Sequence, residues 1–106
     1  MVTVKKYKPT GAAVLFVKAD WCPHCQAAKP ELDLTASVLG SVLPVYEVDS
    51  ERNKQVVKEL GVDGYPTIFY RTKTGKLTRY TGERSGQNIV DWACAQSGLC
   101  GKKGRK

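Results

Sequence analysis

No apolar run in this chain approaches the roughly 20 residues of a membrane-spanning helix, so the pattern predicts no transmembrane segment. Cysteine is scarce. Four cysteines in 106 residues are too few for the disulfide framework of a small secreted scaffold, in a chain long enough to build one modest core. Histidine is scarcer still, with His24 alone. Cys22, Cys25 and His24 supply three ligands where tetrahedral zinc takes four, and His24, next to Cys25, points off the face the cysteines share, so no metal is expected. The opening residues, Met1 to Lys6, lack the apolar core of a secretory signal, which favours a cytoplasmic location unless residues have been removed ahead of them. Repeats, linkers and a second domain are missing too. Aromatic and basic residues do not interleave as they would on a nucleic-acid surface, so nucleic acid is not an expected partner. The net charge of +7 is uneven: Lys102, Lys103, Arg105 and Lys106 contribute four, leaving 13 basic against 10 acidic side chains in residues 1–100. The chain therefore reads as one domain over residues 1–100 with a basic tail at 101–106. A solvated terminus is the ordinary reading of that tail, and a polyanion-binding or address segment the alternative.

What is present centres on Asp20-Trp21-Cys22-Pro23-His24-Cys25. The apolar run Val14–Val17 reads as a buried strand that ends at this stretch. Pro23 suits the first position of a helix, with its fixed φ and no N–H to leave unpaired. Cys22 then becomes the N-cap, exposed at the helix start, its sulfur facing the free N–H groups of the first turn and the positive end of the helix dipole. Such a site favours an anion, and for cysteine the anion is the reactive form. Cys25 lies three residues on, on the same face and within bridging reach. A redox-active dithiol follows.

The remaining elements alternate. Val2–Tyr7 can form a short strand, Lys8-Pro9-Thr10-Gly11 is a turn, and Ala12–Lys18 is the buried strand. A helix is expected from Pro23 to about Leu39, with Ala28, Leu32, Thr35 and Leu39 inward and a kink at Pro30. A strand at Val42–Val48 leads to a helix capped by Asp49 or Ser50 and closed by Gly61. Thr67–Tyr70 and Leu77–Tyr80 flank Thr74-Gly75 as an antiparallel hairpin. Ser85 or Gly86 opens a last helix with Ile89, Val90, Trp92 and Ala93 inward. This order implies an α/β fold with a mixed sheet and helices on its faces.

In these motifs the chain resembles the thioredoxin superfamily over roughly Ala12 to Gly98, and in detail the catalytic domains of protein disulfide isomerases. The residues that carry the likeness are Trp21-Cys22-Pro23-His24-Cys25, Pro30 eight positions after Cys22, Gly61-Val62-Asp63-Gly64-Tyr65-Pro66-Thr67, and Tyr80–Arg84 followed by Ile89-Val90-Asp91-Trp92. The pair Pro23-His24 is that of bacterial DsbA, whereas thioredoxins usually carry Gly-Pro and disulfide isomerases Gly-His. The resemblance implies a thioredoxin fold and a thiol–disulfide oxidoreductase acting on protein thiols and disulfides, biased towards oxidation or isomerisation. It implies no cofactor beyond a Cys22–Cys25 disulfide, a monomer, and a recycling partner that the sequence leaves open between glutathione, a reductase and an oxidase. A thioredoxin-like reductant is the alternative, and a non-catalytic interaction module the alternative of another class. By the same resemblance Cys22 attacks, Cys25 resolves the mixed disulfide, His24 stabilises the Cys22 thiolate, and Pro66 is cis and opposite Cys22. Trp21, Pro23, Tyr65 and Thr67 then contact substrate, with the Tyr65 backbone free to pair with an extended segment.

Three departures touch the chemistry. The family places a buried acid six residues before the first cysteine, where this chain has Phe16. The neighbouring strand, which usually supplies a lysine, supplies Glu47, and Lys18 stands at a position that is commonly aromatic. Glu47, held by Lys18, is therefore a candidate proton acceptor for Cys25; the alternative is that both face solvent and Phe16 only fills core. Few residues precede Cys22, so the first helix of the fold is expected to be missing and one sheet face less covered. Cys94 and Cys100 read three ways: a structural disulfide, a second redox pair, or two free thiols.

Overall fold

The computed structural model describes residues 1–4, 6–7 and 11–100. Its elements run β1 (Val2–Val4), β2 (Ala13–Lys18), α1 (Pro23–Leu39), β3 (Val45–Asp49), α2 (Lys54–Leu60), β4 (Thr67–Arg71), β5 (Leu77–Arg79) and α3 (Gly86–Ser97). The sheet order is β1-β3-β2-β4-β5. β1, β3 and β2 are parallel, β4 pairs antiparallel with β2, and β5 pairs antiparallel with β4. This is the mixed five-stranded sheet with three helices of a thioredoxin fold.

β2 lies at the centre, and strand alternation divides its side chains between two cores. Val14 and Phe16 face a layer built from α1 and α3, with Leu32, Leu39, Ile89 and Ala93. Ala13, Leu15 and Val17 face the other side, with Val48, Val57 of α2 and Phe69. Both faces are covered, which is why β2 reads as an unbroken apolar run rather than an alternating one.

Among the described residues no helix lies between β1 and β2. The face it would cover is nevertheless closed. Tyr7 packs into that core and is itself buried. Its backbone N–H donates to Asn53 Oδ1 at 2.7 Å, which anchors the segment beside α2. The strand expected over Val2–Tyr7 accordingly stops at Val4. Lys8, Pro9 and Thr10 of the expected turn, and the tail 101–106, lie outside the described residues.

Two further element starts differ from expectation by several residues. β3 starts at Val45 rather than Val42, because Pro44 has no N–H for the ladder; its carbonyl accepts instead from Val14 N at 2.9 Å. α2 starts at Lys54, not directly after Asp49 or Ser50. The Asp49 carboxylate folds the chain into a turn by accepting the Glu51 N–H at 2.9 Å, and Asn53 takes the N-cap position with its side chain committed to Tyr7. α1 runs through Pro30 without a break. Ser85 caps α3 by accepting the Asn88 N–H, and Gly98, with φ of 66°, turns the chain out of it. Cys94 and Cys100 are joined by a disulfide across that turn.

Candidate active site

α1 begins where β2 ends, at the edge of both cores. Cys22 is its N-cap, Pro23 the first helical residue, and Cys22 Sγ accepts the Cys25 N–H at 3.1 Å. That bond replaces one that a Ser or Asp cap would make, and it strengthens when the sulfur is anionic. Gln26 Nε2 donates to the Asp20 carbonyl at 3.0 Å, tying the preceding turn to the helix. Cys22 and Cys25 are both free thiols.

Cys22 was expected to be exposed, yet it is as buried as Cys25, each at 3%. Capping folds its side chain back over the first turn, against Ala19 and Cys25 in the core cluster. His24 lies between them on the exposed side of the same turn.

The two cysteines are equally buried but differ in place on the helix, Cys22 at the cap and Cys25 within the first turn. Burial pushes the Cys25 thiol up to about 11, and its hydrogen bond with Cys22 adds to the shift. The Ala19 backbone and the Arg84 guanidinium pull the other way. Cys25 is thus built to keep its proton until something removes it.

The second wall comes from the loop before β4. Tyr65 meets Trp21 edge-to-face, with ring centroids 5.9 Å apart and planes at 81°. Trp21 is 66% exposed despite this contact, leaving apolar ring surface beside Cys22. The Tyr65–Pro66 bond is cis, and Thr67 is fixed by donating from Oγ1 to the Gly64 carbonyl at 2.7 Å. The Trp21–Tyr65 contact brings together two stretches that lie far apart in the chain.

Glu47 does not face solvent. It is 4% exposed and lies on the strand paired with β2, opposite Phe16 in register. Thr3 Oγ1 donates to its Oε1 at 2.6 Å, and Lys29 Nζ lies 3.2 Å from the same oxygen. Lys18 Nζ stands 3.8 Å from Oε2. Burial works to raise the Glu47 pKa, but Thr3, Lys29 and Lys18 together hold it below the ordinary carboxylate value. Lys18 also contacts Asp20 and approaches Asp49. Burial alone would lower the Lys18 pKa; these carboxylates raise it instead.

A cavity of about 320 Å³ joins these groups to Cys25. Phe16, Lys18, Cys25, Lys29 and Glu47 all line it. Sequence reasoning singled out Glu47 and Lys18 but missed Lys29 and Arg84. The signal for Lys29 was its position four residues after Cys25, on the same helix face; Arg84 carried none, since the fold of the loop before α3 decides where it points. Among the described residues no group of three or more His, Cys, Asp and Glu side chains is placed to hold a metal.

A thioredoxin family model matches residues 3–95. Among curated proteins, protein disulfide-isomerase 1 of Caenorhabditis elegans is 42% identical over 83 residues, covering 76% of this chain and 17% of that protein. Protein disulfide-isomerase A2 of Homo sapiens is 38% identical over 81 residues, covering 70% of this chain and 15% of that protein. The chain thus spans less than a fifth of each of these relatives. Among solved structures, a fragment of ERdj5 superposes with a TM-score of 0.78 at 18% identity, over 86% of this chain and 50% of that one. Human ERp44 gives 0.74 at 22%, over 82% and 28%.

Proposed function

The chain belongs to the thioredoxin family, and from that premise we propose that it is a thiol–disulfide oxidoreductase of protein substrates, working through Cys22 and Cys25. One observation carries the reading: two equally buried thiols share a helix start, and the first is the N-cap whose sulfur accepts a backbone N–H while the second lies inside the first turn. Cys22 Sγ already receives a backbone N–H at the positive end of α1, the arrangement that suits an attacking thiolate. Cys25 is held protonated by burial, the arrangement that suits a group used only in the second step. Cys22 attacks a substrate disulfide, the substrate's first sulfur leaves as a thiolate, and a mixed disulfide forms. Cys25 then gives up its proton and attacks Cys22 Sγ, releasing the second substrate sulfur and leaving a Cys22–Cys25 disulfide. Run backwards, the same steps oxidise a substrate dithiol. No cofactor other than that disulfide is needed.

The Pro23-His24 pair favours the oxidising direction. His24, when protonated, adds positive charge beside the cap, and whatever stabilises the Cys22 thiolate stabilises the reduced form and makes the disulfide a stronger oxidant. Trp21 and Tyr65 offer apolar contact to residues flanking the substrate sulfur, and Pro23, Pro66 and Thr67 complete the substrate-binding set for an extended segment. Glu47, with Lys18 beside it, receives the Cys25 proton through the shared cavity. The chain acts as a monomer, and its recycling partner is a thiol or disulfide couple: glutathione, a reductase or an oxidase. The Cys94–Cys100 disulfide favours an oxidising compartment over the cytoplasm.

A redox titration of Cys22/Cys25 against glutathione tests the direction. A potential near or above about −180 mV, the value for protein disulfide isomerase, supports an oxidase or isomerase, and one near the roughly −270 mV of thioredoxin makes the protein a reductant. Cys22→Ser separates the classes: an oxidoreductase loses disulfide exchange, and an interaction module keeps its activity.

A further inference from the structure

A carboxylate gripped by two ammonium groups and a hydroxyl is a poor place to put a proton, and Glu47 is gripped in this way. Thr3 from β1, Lys18 from β2 and Lys29 from α1 all converge on it. Two of these cannot easily leave. Thr3 donates a short hydrogen bond, and Lys18, its side chain only 15% exposed, is shared with Asp20 and Asp49. Lys29 is different. Its side chain is 49% exposed, and Glu47 is its only ion-pair partner among the described residues.

Lys29 also stands where it can serve Cys25. The two are four residues apart on one face of α1, and helical side chains lean back towards the N-terminus, so the Lys29 stem lies over the turn that carries Cys25. Both line the cavity of about 320 Å³ that Glu47 also lines, a space able to hold several waters.

We propose that Lys29 is a mobile counter-ion for the resolving step: its ammonium leaves Glu47 for Cys25 Sγ as the thiol proton passes through the cavity to the Glu47 carboxylate. The inference rests on the reading that Cys25 resolves a Cys22 mixed disulfide and that Glu47 takes the proton. The S–H bond of Cys25 breaks and its proton ends on Glu47. The Cys25 sulfur, now anionic, bonds to Cys22 Sγ, and the electron pair of the broken Cys22–substrate bond leaves on the substrate sulfur, which takes a proton from solvent. Net charge within the cavity does not change during the proton transfer.

A single displacement of one ammonium acts on both partners in the useful direction. Cys25 is pushed up by burial and by Cys22, with only Arg84 and the Ala19 backbone opposing; an added cation eases its ionisation. Glu47 is pulled down by Thr3, Lys29 and Lys18 against its burial; losing Lys29 lets it accept. Lys29 thus acts on the reacting sulfur itself, as a catalytic residue of the second step.

The test is single-turnover release of a peptide thiol from a mixed disulfide with Cys22, followed from about pH 5 to pH 10 in wild type, K29M, K29R, E47Q and K29M/E47Q. If the ammonium changes the Cys25 thiolate population about tenfold, release in K29M slows about three- to fourfold near pH 7, because a less basic thiolate is also a weaker nucleophile. The pH midpoint of release moves up by about one unit in K29M, K29R restores both, and the double variant is no slower than E47Q. Alkylation of Cys22 by iodoacetamide in reduced K29M matches wild type, which shows an intact site. K29M releasing peptide like wild type at every pH while E47Q is slow overturns the Lys29 role and leaves Glu47 standing. Wild-type rates in both variants overturn both. Equal slowing in K29M and K29R with an unmoved midpoint assigns Lys29 a structural role and also overturns the proposal.

Discussion

The Cys25 thiol has a pKa of about 11 against an ordinary 9.0, and that difference is stored in the fold as well as in the chemistry. The folded state of the reduced protein binds this proton more tightly than the unfolded chain. Its contribution is therefore complete below about pH 9 and is lost as the pH rises through about 11. Two units correspond to at most about 2.7 kcal/mol, or a fall in Tm on the order of 10 °C for a domain of this size. Other groups titrate in the same window, including Tyr7 and Tyr80, whose hydroxyls burial pushes up, so the perturbation is pH and the control is Cys25→Ala. Thermal or urea unfolding of reduced wild type and Cys25→Ala from about pH 8 to pH 11 compares the interacting Cys22/Cys25 pair with Cys22 alone, since groups outside the pair cancel in the difference. The reduced wild type is expected to lose stability more steeply than Cys25→Ala by up to that amount. The oxidised protein, whose Cys25 carries no proton, should follow the variant. If reduced wild type and Cys25→Ala decline in parallel through pH 11, burial does not hold this proton. In that case the need for an acceptor beside Cys25 disappears with it.

Other outcomes follow from the same geometry. Arg84→Met removes a cation that helps Cys25 ionise, so the pH midpoint for alkylation of Cys25 in a Cys22→Ala background should rise, and Arg84→Lys should largely restore it. Phe16 is fully buried at the centre of β2; Phe16→Ala should cost about 3–5 kcal/mol in urea unfolding, and a loss below 1 kcal/mol would contradict its place in the core. Glu47 is held below the ordinary carboxylate value, so it stabilises the fold above that value and the contribution fades as the pH falls through its folded pKa. Wild type should therefore lose more stability than Glu47→Gln on acidification below about pH 5. Reducing Cys94–Cys100, or replacing both with Ala, opens a small loop at the end of α3, and about 2 kcal/mol should be lost on chain-entropy grounds. A larger loss in disulfide-exchange activity than in stability would instead favour a redox role for the pair.

Much of the fold was readable because its signals are local. Pro23 and Ser85 open helices, Gly61 and Gly98 end them, and an unbroken apolar run marks a strand covered on both faces. Each is a property of a few consecutive residues and their backbone preferences. The boundaries that moved did so for reasons that span the chain. Asn53 caps α2 while its side chain serves Tyr7, 46 residues away in sequence, and the start of β3 depends on which residue of β2 finds the Pro44 carbonyl.

The site divides in the same way. Sequence alone determined the dithiol, the cap position of Cys22 and the proline loop, because three-residue spacing and a Pro at the first helical position fix local geometry. It also showed that Phe16 stands where an acid is expected and that Glu47 lies on a strand. It did not determine that Cys22 is buried, that Trp21 meets Tyr65, or that Glu47 lies opposite Phe16 with Lys18, Lys29 and Thr3 around it. Those facts required β1, β2, β3, α1 and the loop before β4 to be packed together. Exposure, ion pairing and proton affinity depend on what surrounds a group in space, and residues from four separate elements supply those surroundings here.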